Sequence, residues 1–443
     1  MQIGFRAGVV VATVAAVVTP ALPAAAETRT AGLRAAAGRT VLVSLADNGD
    51  QSNQAVVSPQ ISANGRYVAF VSSASNLVRG DTNDTWDVFV RDLRGGTTKR
   101  VSVSGTGAQS DGQAHGAEIS ADGRYVAFSS YATNLVPGDT NDSSDVFVRD
   151  LVTGTTSRVS VTSTGEQANG FSAFSMAISA DGRYVLFDSE ATNLVPGDTN
   201  GVRDIFVHDR RTGRTSRVNG PGGVQPDHYS EAPAISADNR YIAYDSFAGN
   251  LVPGDTNGFS DVFVLDRRTG RTTLVSRNPD GAPSLYNSFS PSLSADGRFV
   301  SFGSESPDVV RGDTNDLVDV FVHDRRTGRT ERASVSSSGR QANDHCNAAA
   351  ISADGRYVLY SSRASTLVPR DRNGSEDVFV RDRLRGTTTQ VSVATSGRPA
   401  NAWSSAASIS ADSRRVAFAS EADNLVAGDT NETYDVFLRV FGG

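Results

Sequence analysis

The sequence from Ile61 to the C-terminus repeats one motif seven times, with a spacing of about 58 residues between copies. Repetition at this period is typical of propellers and solenoids, in which each copy packs on its neighbours to form one continuous structure. No segment of different composition is long enough to fold separately, so the repeat outweighs any division into domains that the length alone would suggest. The copies begin at Ile61, Ile119, Ile178, Ile235, Leu293, Ile351 and Ile409.

Each copy predicts four short strands, as the second copy illustrates at residues 117–120, 124–129, 145–150 and 156–161. An Asp-Gly pair separates the first two strands and supplies the positive-φ position that a tight hairpin needs. The second and third strands are apolar on both faces, as in a sheet that is covered on both sides. The fourth strand alternates apolar and polar residues, which is typical of a half-exposed strand.

Four-stranded antiparallel sheets that repeat in tandem are the blades of a β-propeller. We therefore predict an all-β, seven-bladed β-propeller over residues 40–443. The seventh copy ends after its third strand and lacks the T-x-R-V-S-V element of the other copies, whereas residues 40–45, before the first copy, read T-V-L-V-S-L. We expect this N-terminal strand to complete the last blade and close the ring, because closure removes two exposed sheet edges.

Residues 1–26 have the pattern of a secretory signal peptide: Arg6, an apolar run and a small-residue cleavage site. Residues 27–39 read as a flexible lead-in. No later apolar stretch is long enough to cross a bilayer. The single cysteine, Cys346, excludes an internal disulfide. We therefore expect a monomer that is secreted or held in the cell envelope.

The charge pattern argues against a nucleic-acid partner. The formal net charge is −7, and the arginines recur along the copies without clustering into a basic patch. A protein or glycan partner is compatible with this composition.

The copies resemble a known repeat. The pairing of I-S-A-D-G-R-Y-V-A-F at residues 119–128 with D-V-F-V-R-D at residues 145–150, followed by R-V-S-V, resembles the TolB-type repeat, a WD40-like (PD40-type) propeller repeat. The resemblance covers nearly all of residues 40–443 and implies the propeller fold. Related repeats also occur in propellers attached to prolyl-oligopeptidase-like hydrolases.

The loop between the second and third strands repeats an acidic pattern, D-T-N followed by a further Asp. Oxygen side chains at this spacing suit calcium, but Asp and Asn also cap their own backbone amides as Asx turns. The sequence leaves two interpretations open: Asx turns alone, or calcium bound in at least some of the loops. The candidate metal residues are Asp81, Asn83, Asp87, Asp139, Asn141, Asp145, Asp198, Asn200, Asp204, Asp255, Asn257, Asp261, Asp313, Asn315, Asp319, Asp429, Asn431 and Asp435, with Asp371, Asn373 and Asp377 in the sixth copy.

A second candidate site comes from side chains that differ between copies, just before each first strand. In a ring these segments converge on the mouth of the central channel, and aromatic side chains with a few polar groups are typical of ligand sites. The alternative is that they pack and plug the channel mouth. The candidate ligand-binding residues are His115, Phe171, Phe174, His228, Tyr229, Glu231, Tyr286, Phe289, His345 and Trp403.

Three functions remain open from the sequence. The one we favour is a binding or scaffolding module that engages its ligand at the channel mouth. The second is an extracellular hydrolase or lyase that acts on a polysaccharide or peptide, with Glu231, His228 and His345 as participants. The third is a purely structural protein of the cell envelope. Catalysis would require an acid and a base that converge on one substrate atom.

Overall fold

The computed structural model describes residues 34–218, 220–369 and 371–442. The chain forms seven four-stranded antiparallel sheets in a ring, which confirms the predicted seven-bladed β-propeller. Besides strands, the described residues contain one short 3₁₀ turn, Pro221–Gly223. None of their helices is long and apolar enough to cross a membrane. The predicted signal peptide, residues 1–26, lies outside the described residues.

Blades 1 to 6 each consist of four consecutive strands, and blade 7 combines the last three strands with the first. The first strands of neighbouring blades contact one another, so they line the centre of the ring. The strands are β1 Arg34–Leu42; in blade 1, β2 Val56–Ile61, β3 Tyr67–Ser72, β4 Asp87–Asp92 and β5 Thr97–Arg100; in blade 2, β6 Ala114–Ile119, β7 Tyr125–Ser130, β8 Asp145–Asp150 and β9 Thr155–Arg158; in blade 3, β10 Ser172–Ile178, β11 Tyr184–Ser189, β12 Asp204–Asp209 and β13 Arg214–Arg217; in blade 4, β14 Ser230–Ile235, β15 Tyr241–Ser246, β16 Asp261–Asp266 and β17 Arg271–Leu274; in blade 5, β18 Ser288–Leu293, β19 Phe299–Ser304, β20 Asp319–Asp324 and β21 Arg329–Arg332; in blade 6, β22 Cys346–Ile351, β23 Tyr357–Ser362, β24 Asp377–Asp382 and β25 Thr387–Gln390; and in blade 7, β26 Ser404–Ile409, β27 Arg415–Ser420 and β28 Asp435–Gly442.

Strand β1 completes blade 7, as predicted. It pairs antiparallel with β28 and places Val41 opposite Leu438. The pairing continues beyond the strand, because the Val43 amide donates to the Val436 carbonyl at 2.8 Å. The two ends of the described chain therefore belong to one sheet.

The closing strand is longer than predicted, and its apolar side chains are unequally buried. It begins at Arg34, inside the range 27–39 that the sequence assigned to a lead-in. Val43 is 1% exposed, whereas Val41 and Leu45 are only half-buried. Val43, just beyond the end of β1, is therefore the main apolar anchor of this closing segment.

The hydrophobic core lies between blades. Each apolar cluster joins two neighbouring blades, and the cluster between blades 1 and 2 packs Val88 and Val90 against Phe128 and Phe147. In blade 2 the rings of Phe128 and Phe147 are 5.7 Å apart and fully buried. Burying one such ring contributes about 1.5–3 kcal/mol. Because every cluster needs both blades, neighbouring blades stabilise one another.

Strand boundaries in blade 2 follow the prediction for the third strand only. The first strand starts earlier than residue 117, because the innermost strand continues toward the channel opening. The second strand is shifted to Tyr125–Ser130. The fourth strand ends at Arg158 rather than at residue 161, and Val161 instead forms an isolated bridge with Gln167.

Candidate functional site

The two long connections of each blade lie on one face of the ring, because the loop between the second and third strands bonds to the connection into the next blade. In blade 1 the Thr82 amide donates to Gln109 Oε1 at 3.3 Å, and Asn83 Nδ2 donates to the Ser110 carbonyl at 3.1 Å. Thr82 and Asn83 belong to the loop between the second and third strands, whereas Gln109 and Ser110 lie between blades 1 and 2. The innermost strands begin on this face, which we call the mouth.

Each innermost strand carries a β-bulge near the mouth, and the bulge of blade 3 is the longest. In the other six blades the register shift corresponds to one extra residue. In blade 3 Ser172 pairs with Ser189, and Met176 pairs with Phe187. Strand β10 therefore advances four residues while β11 advances two, so β10 has two extra residues. A β-bulge bends the strand and changes the direction in which its side chains point. Phe174 lies within the bulge of blade 3 and is 51% exposed.

A row of aromatic rings crosses the mouth from blade 2 to blade 3. The ring centroids of His115 and Tyr131 are 6.4 Å apart, and those of Tyr131 and Phe171 are 6.3 Å apart. Phe171 and Phe174 follow at 4.1 Å. Tyr131 is 47% exposed, so the row is open to solvent.

Arg203 extends this row into blade 4. Its guanidinium carbon lies 4.0 Å from the ring centroid of Phe174 and 5.9 Å from that of Tyr229, which are cation–π distances. Tyr229 packs on Phe247 at 4.6 Å, and His228 packs on both rings. We call the continuous set the mouth band: His115, Tyr131, Phe171, Phe174, Arg203, His228, Tyr229 and Phe247.

Three carboxyl groups lie beneath the band. Arg203 Nη1 is 2.9 Å from Glu231 Oε2 and 3.5 Å from Asp188 Oδ2. Asp188 is fully buried, and burial raises its pKa to about 6. Burial, together with the charge of Glu231, raises the pKa of Asp245 well above its ordinary value. One cation therefore faces several carboxyl groups at this part of the mouth.

The structure brings six of the predicted ligand-binding residues to this region and adds five that the sequence analysis missed. The predicted ones are His115, Phe171, Phe174, His228, Tyr229 and Glu231. The missed ones are Tyr131, Asp188, Arg203, Asp245 and Phe247. A signal for the two aspartates existed, because other copies have Val71, Ser129, Gly303, Ser361 and Ala419 at the same position of the second strand.

The remaining predicted residues pack elsewhere, and within the described residues no ring contact joins them to the band. Tyr286 packs edge-on against Phe259 at 5.4 Å. Phe289 lies against Gly303, where an added Cβ would meet its ring at 2.8 Å. Trp403 lies beneath the guanidinium of Arg363. His345 uses Nδ1 to accept a hydrogen bond from the Val318 amide at 3.0 Å.

The structure does not favour a histidine metal site or a cysteine nucleophile. Across residues 34–218, 220–369 and 371–442, no group of three or more His, Cys, Asp or Glu side chains is placed to hold a metal ion. Cys346 is fully buried beside Ser362, and burial raises the pKa of its thiol. The thiolate that nucleophilic attack requires is therefore disfavoured.

The asparagine of each acidic loop joins the loop to the next connection. Asn373 Oδ1 accepts from the Ser375 amide at 3.0 Å, which is an Asx turn. Its Nδ2 donates to Asp377 Oδ2 and to the Ala400 carbonyl, each at 2.9 Å. The same pair of Nδ2 bonds occurs in the other six loops.

In four blades an arginine of the fourth strand lies between the two aspartates of the loop. Arg332 Nη1 is 2.8 Å from Asp313 Oδ1 and 3.0 Å from Asp319 Oδ2. These blades therefore contain their own counter-charge. The equivalent groups are Arg100 with Asp81 and Asp87, Arg158 with Asp139 and Asp145, and Arg217 with Asp198 and Asp204.

Carboxyl pKa values shift in opposite directions on the two faces of the ring. On the face with the short turns, hydrogen bonds from Arg66 lower the pKa of Asp92 to about 2. At the mouth, burial raises the pKa of Asp255 and of Asp261 to about 6. The two faces should therefore respond in opposite ways to acid.

We expect the melting temperature to be highest between about pH 4 and 5. A carboxyl whose folded pKa is raised takes up its proton first in the folded state, so stability increases as pH falls from above 6 toward the unfolded pKa of about 3.9. A carboxyl whose folded pKa is lowered contributes stability that is lost as pH falls from about 4 through 2. Thermal melts from pH 3 to 8 in a chelator measure this, and a maximum at pH 7 or above would contradict it.

Comparison with known proteins supports the fold alone. No protein-family model and no curated protein matches the chain. Among solved structures, an oligogalacturonate lyase in complex with manganese is similar at a TM-score of 0.54 and 11% identity, over 92% of this chain and 98% of that one. The β-propeller domain of the Trilobed protease from Pyrococcus furiosus has a TM-score of 0.53 and 14% identity, over 87% and 93%.

The TolB structure from Acinetobacter baumannii is also similar, at a TM-score of 0.42 and 16% identity. The match covers 74% of this chain and 64% of TolB, less than two thirds of its length. The Pyrococcus propeller is described as having an open velcro topology, whereas in this chain β1 pairs with β28 and closes the ring.

Proposed function

We propose that this chain is a binding module that holds an oligosaccharide on the mouth band. The observation that carries the proposal is the continuity of the band over three blades, from His115 to Phe247, with Arg203 at its centre. Contiguous ring faces beside a few convergent polar groups are typical of ligand sites.

The exposure of the band favours ligand binding over simple plugging of the channel. Phe174 is 51% exposed and Tyr131 is 47% exposed, although both belong to rows of contacting rings. Rings whose only role is packing would be expected to lose more of their surface. Their exposed ring surfaces are suited to pack against the C–H groups of sugar rings.

The charges beside the rings favour a ligand rich in hydroxyl groups. The carboxylates of Glu231 and Asp188 share the Arg203 guanidinium, so acceptors and donors lie side by side. A sugar hydroxyl both donates and accepts, and it can therefore bond to either kind of group. A protein partner remains an outcome of the test.

We expect Phe174→Ala to weaken oligosaccharide binding about tenfold or more, because truncation of a central aromatic anchor costs about 2 kcal/mol or more and 1.4 kcal/mol corresponds to about tenfold. The matched control is Tyr286→Ala, since Tyr286 is 48% exposed but contacts Phe259 outside the band. A glycan array with the chain starting at Glu27 would identify the ligand, and calorimetry would give both affinities.

Two results would contradict this proposal. One is equal weakening of binding by the Phe174 and Tyr286 variants while both keep the melting temperature of the unaltered chain. The other is an array on which no oligosaccharide is retained. Capture of a protein on the band in that case would support a scaffolding role.

A second candidate function is carboxylate chemistry at the same place. Burial raises the pKa of Asp188 to about 6, and Asp188 shares the Arg203 guanidinium with Glu231, so the Asp188 carboxyl group could hold and donate a proton near pH 6. Polysaccharide cleavage that is lost in Asp188→Asn would favour a lyase or hydrolase. Binding without any product would favour the module.

We also propose that the chain is exported and then acts as a soluble monomer. The support is the sequence of residues 1–26, with Arg6, an apolar run and a small-residue cleavage site. N-terminal sequencing of the protein recovered outside the cytoplasm should give a start near Glu27, and light scattering should give the mass of one chain.

A further inference from the structure

The acidic loops can be compared between the seven blades at one position of the outermost strand. The residue at this position pairs with the phenylalanine of the third strand in every blade. That position holds an arginine in blades 1, 2, 3 and 5. In blade 4 it holds Leu274, opposite Phe263. In blade 6 it holds Gln390, opposite Phe379. The aspartates of blades 4 and 6 therefore lack the arginine.

The same two blades have also lost a second donor. In blade 2, Gln167 Nε2 donates to Asp139 Oδ1 and to Asp145 Oδ2, each at 2.7 Å. Blade 7 has Leu42 in place of the arginine but keeps such a glutamine, Gln51, which bonds both of its aspartates. The equivalent bridge positions of blades 4 and 6 hold prolines, Pro283 and Pro399, which cannot donate.

The result in blade 6 is a buried carboxylate oxygen without a partner. Asp371 is 6% exposed, and its Oδ2 has no hydrogen bond in the structure. Asp377 is fully buried and close enough for its charge to act on Asp371. In the described part of the chain neither aspartate forms an ion pair. An orphaned buried carboxylate is costly unless a cation is present.

We propose that the Asp371–Asp377 pair of blade 6 binds a calcium ion where other blades place the arginine Nη1, and that Asp255–Asp261 of blade 4 does the same. Two carboxylates neutralise one divalent cation, and both aspartates of each pair are oxygen ligands of the kind calcium prefers. The nearby donors do not supply the missing charge, because Gln390 is neutral and Arg372 is exposed.

The arginine geometry sets the size of the proposed site. In blade 5 the Nη1–oxygen distances are 2.8 and 3.0 Å, so the carboxylates already converge on one cationic atom. Calcium bonds to oxygen at about 2.3–2.6 Å, which needs only a small inward shift. Two carboxylates with water as the remaining ligands predict weak binding, on the order of 10⁻⁴–10⁻³ M.

Thermal melts of the chain in 10 mM CaCl₂ and in EGTA at pH 7.5 test the proposal, with 10 mM MgCl₂ as the ionic-strength control. We expect calcium to raise the melting temperature by about 2–6 °C. Equilibrium dialysis should find up to two bound calcium ions per chain. No shift together with no bound ion would overturn the proposal.

The repeat itself supplies the decisive variants. Leu274→Arg with Gln390→Arg introduces the arginine that four other blades carry, so the calcium shift and the bound ions should disappear. Retention of the full calcium response in this variant would place the ion elsewhere and also overturn the proposal. Arg332→Leu with Gln341→Pro copies the blade 4 sequence into blade 5, and it should enlarge the calcium response. None of these residues belongs to the mouth band.

Discussion

Removal of residues 34–45 is expected to give oligomeric or insoluble protein. These residues form the outermost strand of blade 7, with Val41 opposite Leu438 and the Val43 amide bonded to the Val436 carbonyl. Without them β28 has an unpaired edge, which is a template for pairing with another chain. Size-exclusion chromatography with light scattering would compare the chain starting at Ala46 with the chain starting at Glu27.

A point substitution separates closure from simple shortening of the chain. Val43→Asp places an unpaired carboxylate at a position that is 1% exposed and should cost about 3–5 kcal/mol. The matched control in the same closing segment is Arg39→Ala, because Arg39 is exposed. A soluble monomer of unchanged melting temperature after removal of residues 34–45 would show that β1 does not hold the ring.

Phe147→Ala should lower the free energy of unfolding by about 3–5 kcal/mol, the range for deletion of a buried aromatic ring. Phe147 is fully buried against Phe128 and belongs to the cluster between blades 1 and 2. Because every cluster joins two blades, we expect a single unfolding transition that shifts as a whole. Denaturant unfolding followed by circular dichroism measures both features.

The control for this prediction lies in the same blade. Val152 is 74% exposed, so Val152→Ala should change the free energy of unfolding by no more than about 0.5 kcal/mol. A Phe147 variant that loses less than 1 kcal/mol, or that unfolds in separate steps blade by blade, would contradict a core shared between blades.

The fold was predictable from sequence because all seven copies encode the same strands and turns. Closure followed from the element missing after the seventh copy, which residues 40–45 supply. Strand ends were less predictable, since the innermost strands extend through bulges that a periodic pattern does not reveal. The two extra residues in blade 3 became visible only through the pairing of Ser172 and Met176 with β11.

The candidate site was predictable only in part. The variable segments pointed to His115, Phe174 and Tyr229, because side chains that differ between copies stand out from a repeat. Nothing in the sequence indicated that Arg203 would join Phe174 to Tyr229, since that contact depends on the bulge of blade 3. Asp188 was missed because it lies inside a strand rather than in a variable segment.

The acidic loops show a second limit of sequence reasoning. The spacing of Asp313, Asn315 and Asp319 resembles a set of calcium ligands, and the arginine of T-x-R resembles an ordinary residue of an outer strand. Only the sheet register reveals that Arg332 reaches back between the two aspartates. A repeated motif can therefore have different counter-ions in different copies.

Ligand-dependent hydrogen exchange would test the central claim, that the mouth band is where this propeller binds. With the oligosaccharide retained by the array, we expect slower exchange at the strand ends that carry most of the band, residues 113–116, 129–131, 171–175, 188–190, 228–231 and 245–247. Protection confined to the opposite face, at the short turns around Gly123, Gly182 and Gly297, would contradict it.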